Sequence, residues 1–361
     1  MMWWQRQSQP STEGWVLCGA YGYTGELIAR RAKEHGLAPI LAGRNAEKLR
    51  PLAEELDLPY AQCSLNDRRG LDLLLEDASA VLHCAGPFLH TARPMLEACL
   101  RTGTHYLDIT GEVEVFELIA AHDAHAHDAG VMLLPGVGFD VVPSDYLASY
   151  LKTRFPSMQK LVLALRGLDG VSRGTATTMV EYLGRNGVVR SEGALTEVPS
   201  GWRTRSFDFG AGPEAAVSIP WGDVFTAYYS TGVEDIEVYA VVPAPVRRAL
   251  VWLRYTGALF RNSLIKRFLR WKVRHLHSDP DSTTREHATS TIYGEGIGNG
   301  HHVAAILRGP GAYTVTVEAS LAALRRVLAG EWKLGYQTPT TAYGCGIMEA
   351  LPEIEIEDLD E

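Results

Sequence analysis

The chain has 361 residues, a formal net charge of −9 and ordinary globular composition, enough for two domains with a real core. The acidic balance gives no footprint for nucleic acid, and Cys18, Cys63, Cys84, Cys99 and Cys345 form no C-x-x-C pair, so they read as small core residues in a reducing compartment. No run of about 18 uncharged apolar residues offers a spanning helix and the start lacks a secretory pattern, so the chain reads as cytoplasmic.

Residues 1–13 read as an N-terminal tail. From Trp15 to Pro135, short β-rich runs alternate with amphipathic helical stretches. Strands are predicted over Trp15–Cys18, Pro39–Ala42, Tyr60–Cys63, Ala80–Cys84, His105–Asp108 and Val131–Leu134. Helices are predicted over Thr24–His35, Ala46–Leu56, Arg93–Arg101 and Val113–Ala129. That rhythm predicts an α/β fold, a Rossmann-type doubly wound parallel sheet with right-handed crossovers.

Between the first strand and first helix lies Gly19-Ala20-Tyr21-Gly22-Tyr23-Thr24-Gly25. Glycines there let the backbone approach a pyrophosphate, whose charge is stabilised by the free N–H groups of a helix start. The spacing is G-x-x-G-x-x-G and departs from the common fingerprint; its context supports it, and the bland alternative is a glycine-rich turn. After the second strand comes Gly43-Arg44, where an NAD site commonly has an acidic residue for the ribose 2′-hydroxyl. An arginine favours a 2′-phosphate, hence NADP(H). Asn45 and Lys48 could assist it, or serve as an N-cap and a solvated lysine. Ser64 and Leu65 end the third strand, where an adenine usually rests, with Asp67 close by. Cys84, Ala85, Gly86 and Pro87 end the fourth, beside the topological switch point, with a small backbone against which a nicotinamide could lie.

Beyond about Leu151 the pattern becomes strands separated by Gly/Ser/Thr-rich loops such as Gly170–Thr175, which suggests a second, α+β domain that carries the substrate. Within it, every charged residue from Val246 to His277 is basic. At about 100° per residue, Lys266, Arg267, Arg270 and Arg274 share one helix face, with Leu264, Ile265, Phe268, Leu269 and Trp271 opposite. A surface or homodimer helix packed by its apolar side is the bland reading; contact with a membrane surface or an acidic carrier protein through 246–277 is the functional one. Residues 351–361, rich in Asp and Glu, read as a solvated acidic tail.

Five blocks occur in order: the glycine loop, Leu41–Arg44, Cys84-Ala85-Gly86-Pro87-Phe88, Gly103–Glu112 and Gly138–Asp145. Together they resemble the saccharopine dehydrogenase-like oxidoreductases, in particular the branch with trans-acting enoyl reductases. Thinner likenesses follow at Arg173-Gly174-Thr175 and Gly335–Gly344. The resemblance implies that the closing segment returns to the nucleotide domain. The expected organisation is therefore 14–150 plus 320–350 for the NADP-binding domain and 151–319 for an inserted substrate or dimerisation domain.

It also implies hydride transfer from NADPH to a polarised double bond, with the C=C of an enoyl group on CoA or an acyl carrier favoured. Imine reduction of the amino-acid dehydrogenase kind is the alternative, and a non-catalytic NADP-binding sensor is a third reading. Tyr106, Asp108 and Asp140 are the candidates for proton transfer; core tyrosine and helix-capping carboxylates are their structural alternatives. Asp145, at a helix start, is expected to be structural. His122, His125 and His127 lack a third well-spaced ligand, so no metal site is expected.

Overall fold

The computed structural model describes residues 14–167, 172–260, 262–276 and 279–359. The N-terminal tail 1–13, part of the Gly170–Thr175 loop, and Arg261, His277, Asp360 and Glu361 lie outside them, as does the side chain of Arg274.

The first stretch alternates strand and helix: β1 (Trp15–Cys18), α1 (Tyr23–Glu34), β2 (Ile40–Gly43), α2 (Ala46–Leu56), β3 (Tyr60–Gln62), α3 (Arg68–Leu75), β4 (Ala80–His83), α4 (Phe88–Thr102), β5 (His105–Asp108), α5 (Val113–Ala120), α6 (Asp123–Ala129) and β6 (Met132–Leu134). Strands β1, β4 and β6 are buried throughout, as continuous apolar runs in a parallel sheet covered on both faces should be. The single helix expected over Val113–Ala129 is two, because the chain turns at Ala121 and His122 before α6.

The chain continues through α7 (Val142–Arg154), β7 (Lys160–Arg166), α8 (Arg173–Tyr182), β8 (Gly187–Ser191), β9 (Ala194–Val198), β10 (Thr204–Asp208), β11 (Pro213–Ser218), α9 (Asp223–Thr231) and β12 (Asp235–Val241). It then forms α10 (Ala244–Phe260), α11 (Ser263–Leu276), α12 (Ser282–His287), β13 (Thr289–Gly298), β14 (His301–Pro310), α13 (Ala312–Leu328), β15 (Gly335–Tyr336), α14 (Pro339–Tyr343) and β16 (Glu355–Leu359).

Two compact units result, one of residues 1–139 and 316–343, the other of 140–315 and 344–361. The first holds a seven-stranded sheet in the order β15-β6-β5-β4-β1-β2-β3, with every pairing parallel. Strand order reverses beside β1, which places the ligand-binding crevice at the carboxyl ends of β1 and β4. The second unit is a mixed nine-stranded sheet; β7 and β12 run parallel at its centre, and Val162, Phe207, Phe209 and Tyr239 pack in one cluster on it.

These limits correct three expectations. The first unit ends at Phe139 rather than at 150, because α7 packs on α9, β13 and β14 and so belongs to the second unit. The return begins at Thr316 and ends at Tyr343, so 344–350 also lies in the second unit. The acidic end is no solvated tail: β16 pairs antiparallel with β14, Arg308 meets Glu357 at 2.6 Å, and Tyr150 donates to Asp358. Ile354, Ile356 and Leu359 are the half-buried positions among exposed acids. That alternation was the strand signal, hidden under the charge.

Candidate functional site: a dinucleotide cradle

The turn after β1 begins at Gly19, which has φ +86° and donates its N–H to the carbonyl of Ala42 at 2.8 Å. A Cβ on it would stand 2.8 Å from the backbone nitrogen of Ala85, so this loop lies directly against the segment that follows β4. Gly25, in the first turn of α1, is bounded as closely: a Cβ would come within 2.3 Å of the Gly19 carbonyl oxygen. The loop is closed by Gly22 N–H donating to that same oxygen at 2.9 Å. Gly22 is the N-cap of α1 and no side chain caps the helix. The positive end of the helix dipole is thus left for an external anion.

Tyr21 lays its ring over Gly43, with Cε1 2.6 Å from where a Cβ would be, and the Nζ of Lys48 stands 5.8 Å from the centre of that ring. Tyr21, Tyr23 and Thr24 are half-buried around the loop. Arg44 follows β2 and is exposed; its carbonyl accepts from Gln62 Nε2 at 3.1 Å, which holds the backbone while the guanidinium remains in solvent. Asn45 caps α2: its side-chain oxygen accepts from the N–H groups of Glu47 and Lys48, and its amide Nδ2 takes no part in that cap. Ser64 Oγ likewise accepts from Asn66 N–H, and Asp67 caps α3 by accepting from Gly70 N–H. Leu65, half-buried beside them, keeps an apolar surface for a base.

Beyond β4, Cys84 and Ala85 are half-buried and Gly86 is exposed, and the Gly86–Pro87 peptide is cis. The start of α4 is filled from within the fold. Glu112 receives Phe88 N–H at 2.9 Å and Leu89 N–H at 2.8 Å, one on each carboxylate oxygen. Of two helix starts at this crevice, α4 is therefore closed by a carboxylate while α1 has no side-chain cap.

Tyr106 and Asp108 are corrected as proton donors. Both are 0% exposed, and the tyrosine hydroxyl donates to Asp108 Oδ2 at 2.6 Å. Asp108 Oδ1 accepts from Thr110 and Gly136 N–H at 3.0 and 2.9 Å, tying β5 to the segment after β6. Burial pushes the Asp108 carboxyl up to about 6 against these hydrogen bonds, and raises the Tyr106 phenol well above its ordinary value. Both hold the fold and face no solvent. His83, which sequence reasoning passed over, is also fully buried between Phe88 and Tyr106; neither ring nitrogen has a hydrogen-bond partner, and burial pushes it down to about 3. It behaves as a neutral aromatic of the core.

In the second unit, Asp140 precedes α7 and is half-buried, while Asp145 in that helix is fully buried and accepts from Ser230. A third carboxyl, Asp223 at the start of α9, escaped the sequence reading because nothing in the chain order brings it to α7. Burial first of all pushes it well above the carboxylate range, against the hydrogen bond of Ser144, with the charges of Asp145 and Asp140 adding smaller upward pushes. Among the described residues no group of three or more His, Cys, Asp or Glu is placed to hold a metal ion; His122 Nδ1 instead lies 2.8 Å from the carbonyl of Leu118.

Residues 15–134, the stretch that builds this cradle, match the family profile of the saccharopine dehydrogenase NADP binding domain. Over that stretch the chain is similar to the saccharopine dehydrogenase-like oxidoreductases. It is 27% identical over 213 residues to a saccharopine dehydrogenase-like oxidoreductase of Mus musculus, a match covering 51% of this chain and 50% of that one. It is 36% identical over 138 residues to a trans-acting enoyl reductase of Mycobacterium leprae, covering 36% and 33%. The chain thus spans about half or less of the curated relatives it matches. Among solved structures, the apo saccharopine dehydrogenase (L-Glu forming) of Saccharomyces cerevisiae shares the fold, with a TM-score of 0.63 at 11% identity over 96% of this chain and 100% of that one. In this saccharopine dehydrogenase-like domain NADP is the cofactor, and the residues fit it: backbone glycines a Cβ would foul, a helix start without a side-chain cap, and an exposed arginine after β2.

Proposed function

We propose that this chain is an NADPH-dependent oxidoreductase that reduces a polarised double bond, with the C=C of an enoyl thioester on CoA or an acyl carrier as the favoured substrate. The observation that carries the cofactor choice is Arg44, exposed after β2 where a 2′-phosphate needs a cation. The likeness to a trans-acting enoyl reductase over 138 residues supports the enoyl substrate.

When bound, NADPH supplies the hydride. The chain's own part is to hold and orient: the Gly19–Gly25 loop and the α1 start bind the pyrophosphate, Arg44 and Lys48 the 2′-phosphate, Leu65 packs on the base, and Gly86-Pro87 gives close backbone approach. Of the three residues considered for proton transfer, only Asp140 is not fully buried. The second unit is proposed to bind the substrate.

The test follows NADPH absorbance at about 340 nm with 2-enoyl-CoA thioesters in one arm and keto acids mixed with amino acids in the other. Consumption in the first arm, faster with NADPH than NADH, is expected. Consumption only in the second arm would replace enoyl by imine reduction. NADPH binding without turnover in either arm would replace the enzyme by a cofactor-binding sensor.

A further inference from the structure

On α11, Lys266 donates to the Glu181 carbonyl and Arg270 meets the Glu181 carboxylate at 2.5 Å, so these two cations turn inward onto α8. On the apolar face, Ile265 and Leu269 are half-buried and the other three side chains stand outside. Leu264, Phe268 and Trp271 are 71%, 55% and 53% exposed, one helical stripe at i, i+4 and i+7. On α10, Trp252, Tyr255 and Leu259 form a second stripe, 66%, 75% and 64% exposed. Arg248, Arg267 and Lys272 are exposed on the same two helices, with Lys272 Nζ 5.9 Å from the centre of the Phe268 ring.

We propose that α10 and α11 together form an interfacial surface that docks this protein on an anionic phospholipid membrane. Three observations select that occupant. The aromatic residues Trp252, Tyr255, Phe268 and Trp271 stand outward, where amphipathic rings at the headgroup boundary gain both apolar contact and polar hydration. No Asp or Glu occurs from Ala244 to Leu276, so the surface attracts phosphate headgroups in a chain of net charge −9 that an anionic surface would otherwise repel. An isologous contact with a second copy would set this basic surface against itself, with no acidic residue in these helices to pair it. No helix among the described residues is long and apolar enough to cross a membrane, so the contact lies in the plane of the interface.

The test is co-sedimentation of the full chain with vesicles of roughly 30% phosphatidylserine in phosphatidylcholine, against pure phosphatidylcholine, at low and high salt. Binding to the anionic vesicles at low salt, weakened by salt, is expected. The variant Trp252→Ser/Phe268→Ser/Trp271→Ser should lose at least about tenfold in binding while its circular dichroism is unchanged, since it removes outward-facing apolar groups only. The variant Arg248→Glu/Arg267→Glu/Lys272→Glu should lose the preference for phosphatidylserine. Wild type remaining in the supernatant at low salt, or the aromatic variant binding as well as wild type, would overturn the proposal. So would a dimer in sedimentation equilibrium that the aromatic variant abolishes, if vesicles are not bound, since a second copy would then be the occupant.

Discussion

The hydroxyl of Tyr106 donates to Asp108 at 2.6 Å, two residues along the same buried strand, and the other carboxylate oxygen gathers the N–H groups of Thr110 and Gly136. A parallel strand places residues i and i+2 on one face, so the pair forms without any contribution from the crevice. Burial nevertheless outweighs three hydrogen bonds and leaves the carboxyl at about 6.

That value sets a pH dependence. An aspartate raised in the folded state holds its proton between about pH 4 and 6 while the unfolded chain has lost it, so stability falls as pH rises through that window. Asp108→Asn does not titrate, and its amide can still meet the Tyr106 oxygen while its carbonyl accepts the two N–H groups. Relative to the variant, the wild type should lose on the order of 3 kcal/mol between pH 4 and pH 7. Urea unfolding of both proteins across that range checks the slope; parallel curves would show that Asp108 is not raised.

Glu112 is expected to be a principal clamp on α4, since it satisfies the N–H groups of both Phe88 and Leu89. Glu112→Ala should cost about 3 kcal/mol, because two donors lose a charged acceptor. Glu112→Gln retains one acceptor and should cost less. The urea midpoint gives the order of the three proteins, and faster amide exchange at Phe88 and Leu89 locates the effect.

Arg44→Ala should weaken NADPH binding by about 10- to 100-fold, the equivalent of one charge-assisted contact, and leave NADH nearly unchanged. Calorimetric titration with both cofactors checks this. Arg44→Asp should go further and favour NADH.

Gly25→Ala puts a methyl 2.3 Å from a backbone carbonyl oxygen with no flexible side chain to yield. It should destabilise the first unit by about 1–3 kcal/mol and lose NADPH binding, since the loop must open to admit it. Gly36→Ala, at φ +74° with open space around it, carries only the left-handed penalty of about 1 kcal/mol and should bind NADPH normally. Equal effects at the two positions would remove the special status of the cradle.

Much of the first unit was legible because its information is local. Alternating apolar runs, Gly19, Gly25 and Arg44 declare strand, turn and charge within about 30 residues, the reach of one βαβ unit. The pairings of Asp223 with α7, β16 with β14 and Glu112 with α4 were not, since each joins residues remote in the chain. The α11 helix is instructive in the opposite way. Its amphipathic period is legible in the sequence and its outward face is not, because periodicity says that two faces differ but leaves open which one a neighbour takes.

Residue order alone settled the parallel sheet, the glycine turn and the cation after β2, all consequences of backbone sterics and side-chain spacing. Tertiary structure decided which polar groups are spent and which are left for solvent. Tyr106 and Asp108 consume each other, the side-chain oxygen of Asn45 is spent on a cap, and Glu181 draws Lys266 and Arg270 of α11 inward, leaving its aromatic stripe exposed. The reason is burial: a polar or charged group taken from water must find its partner inside the fold, and the partner's identity depends on what packs there.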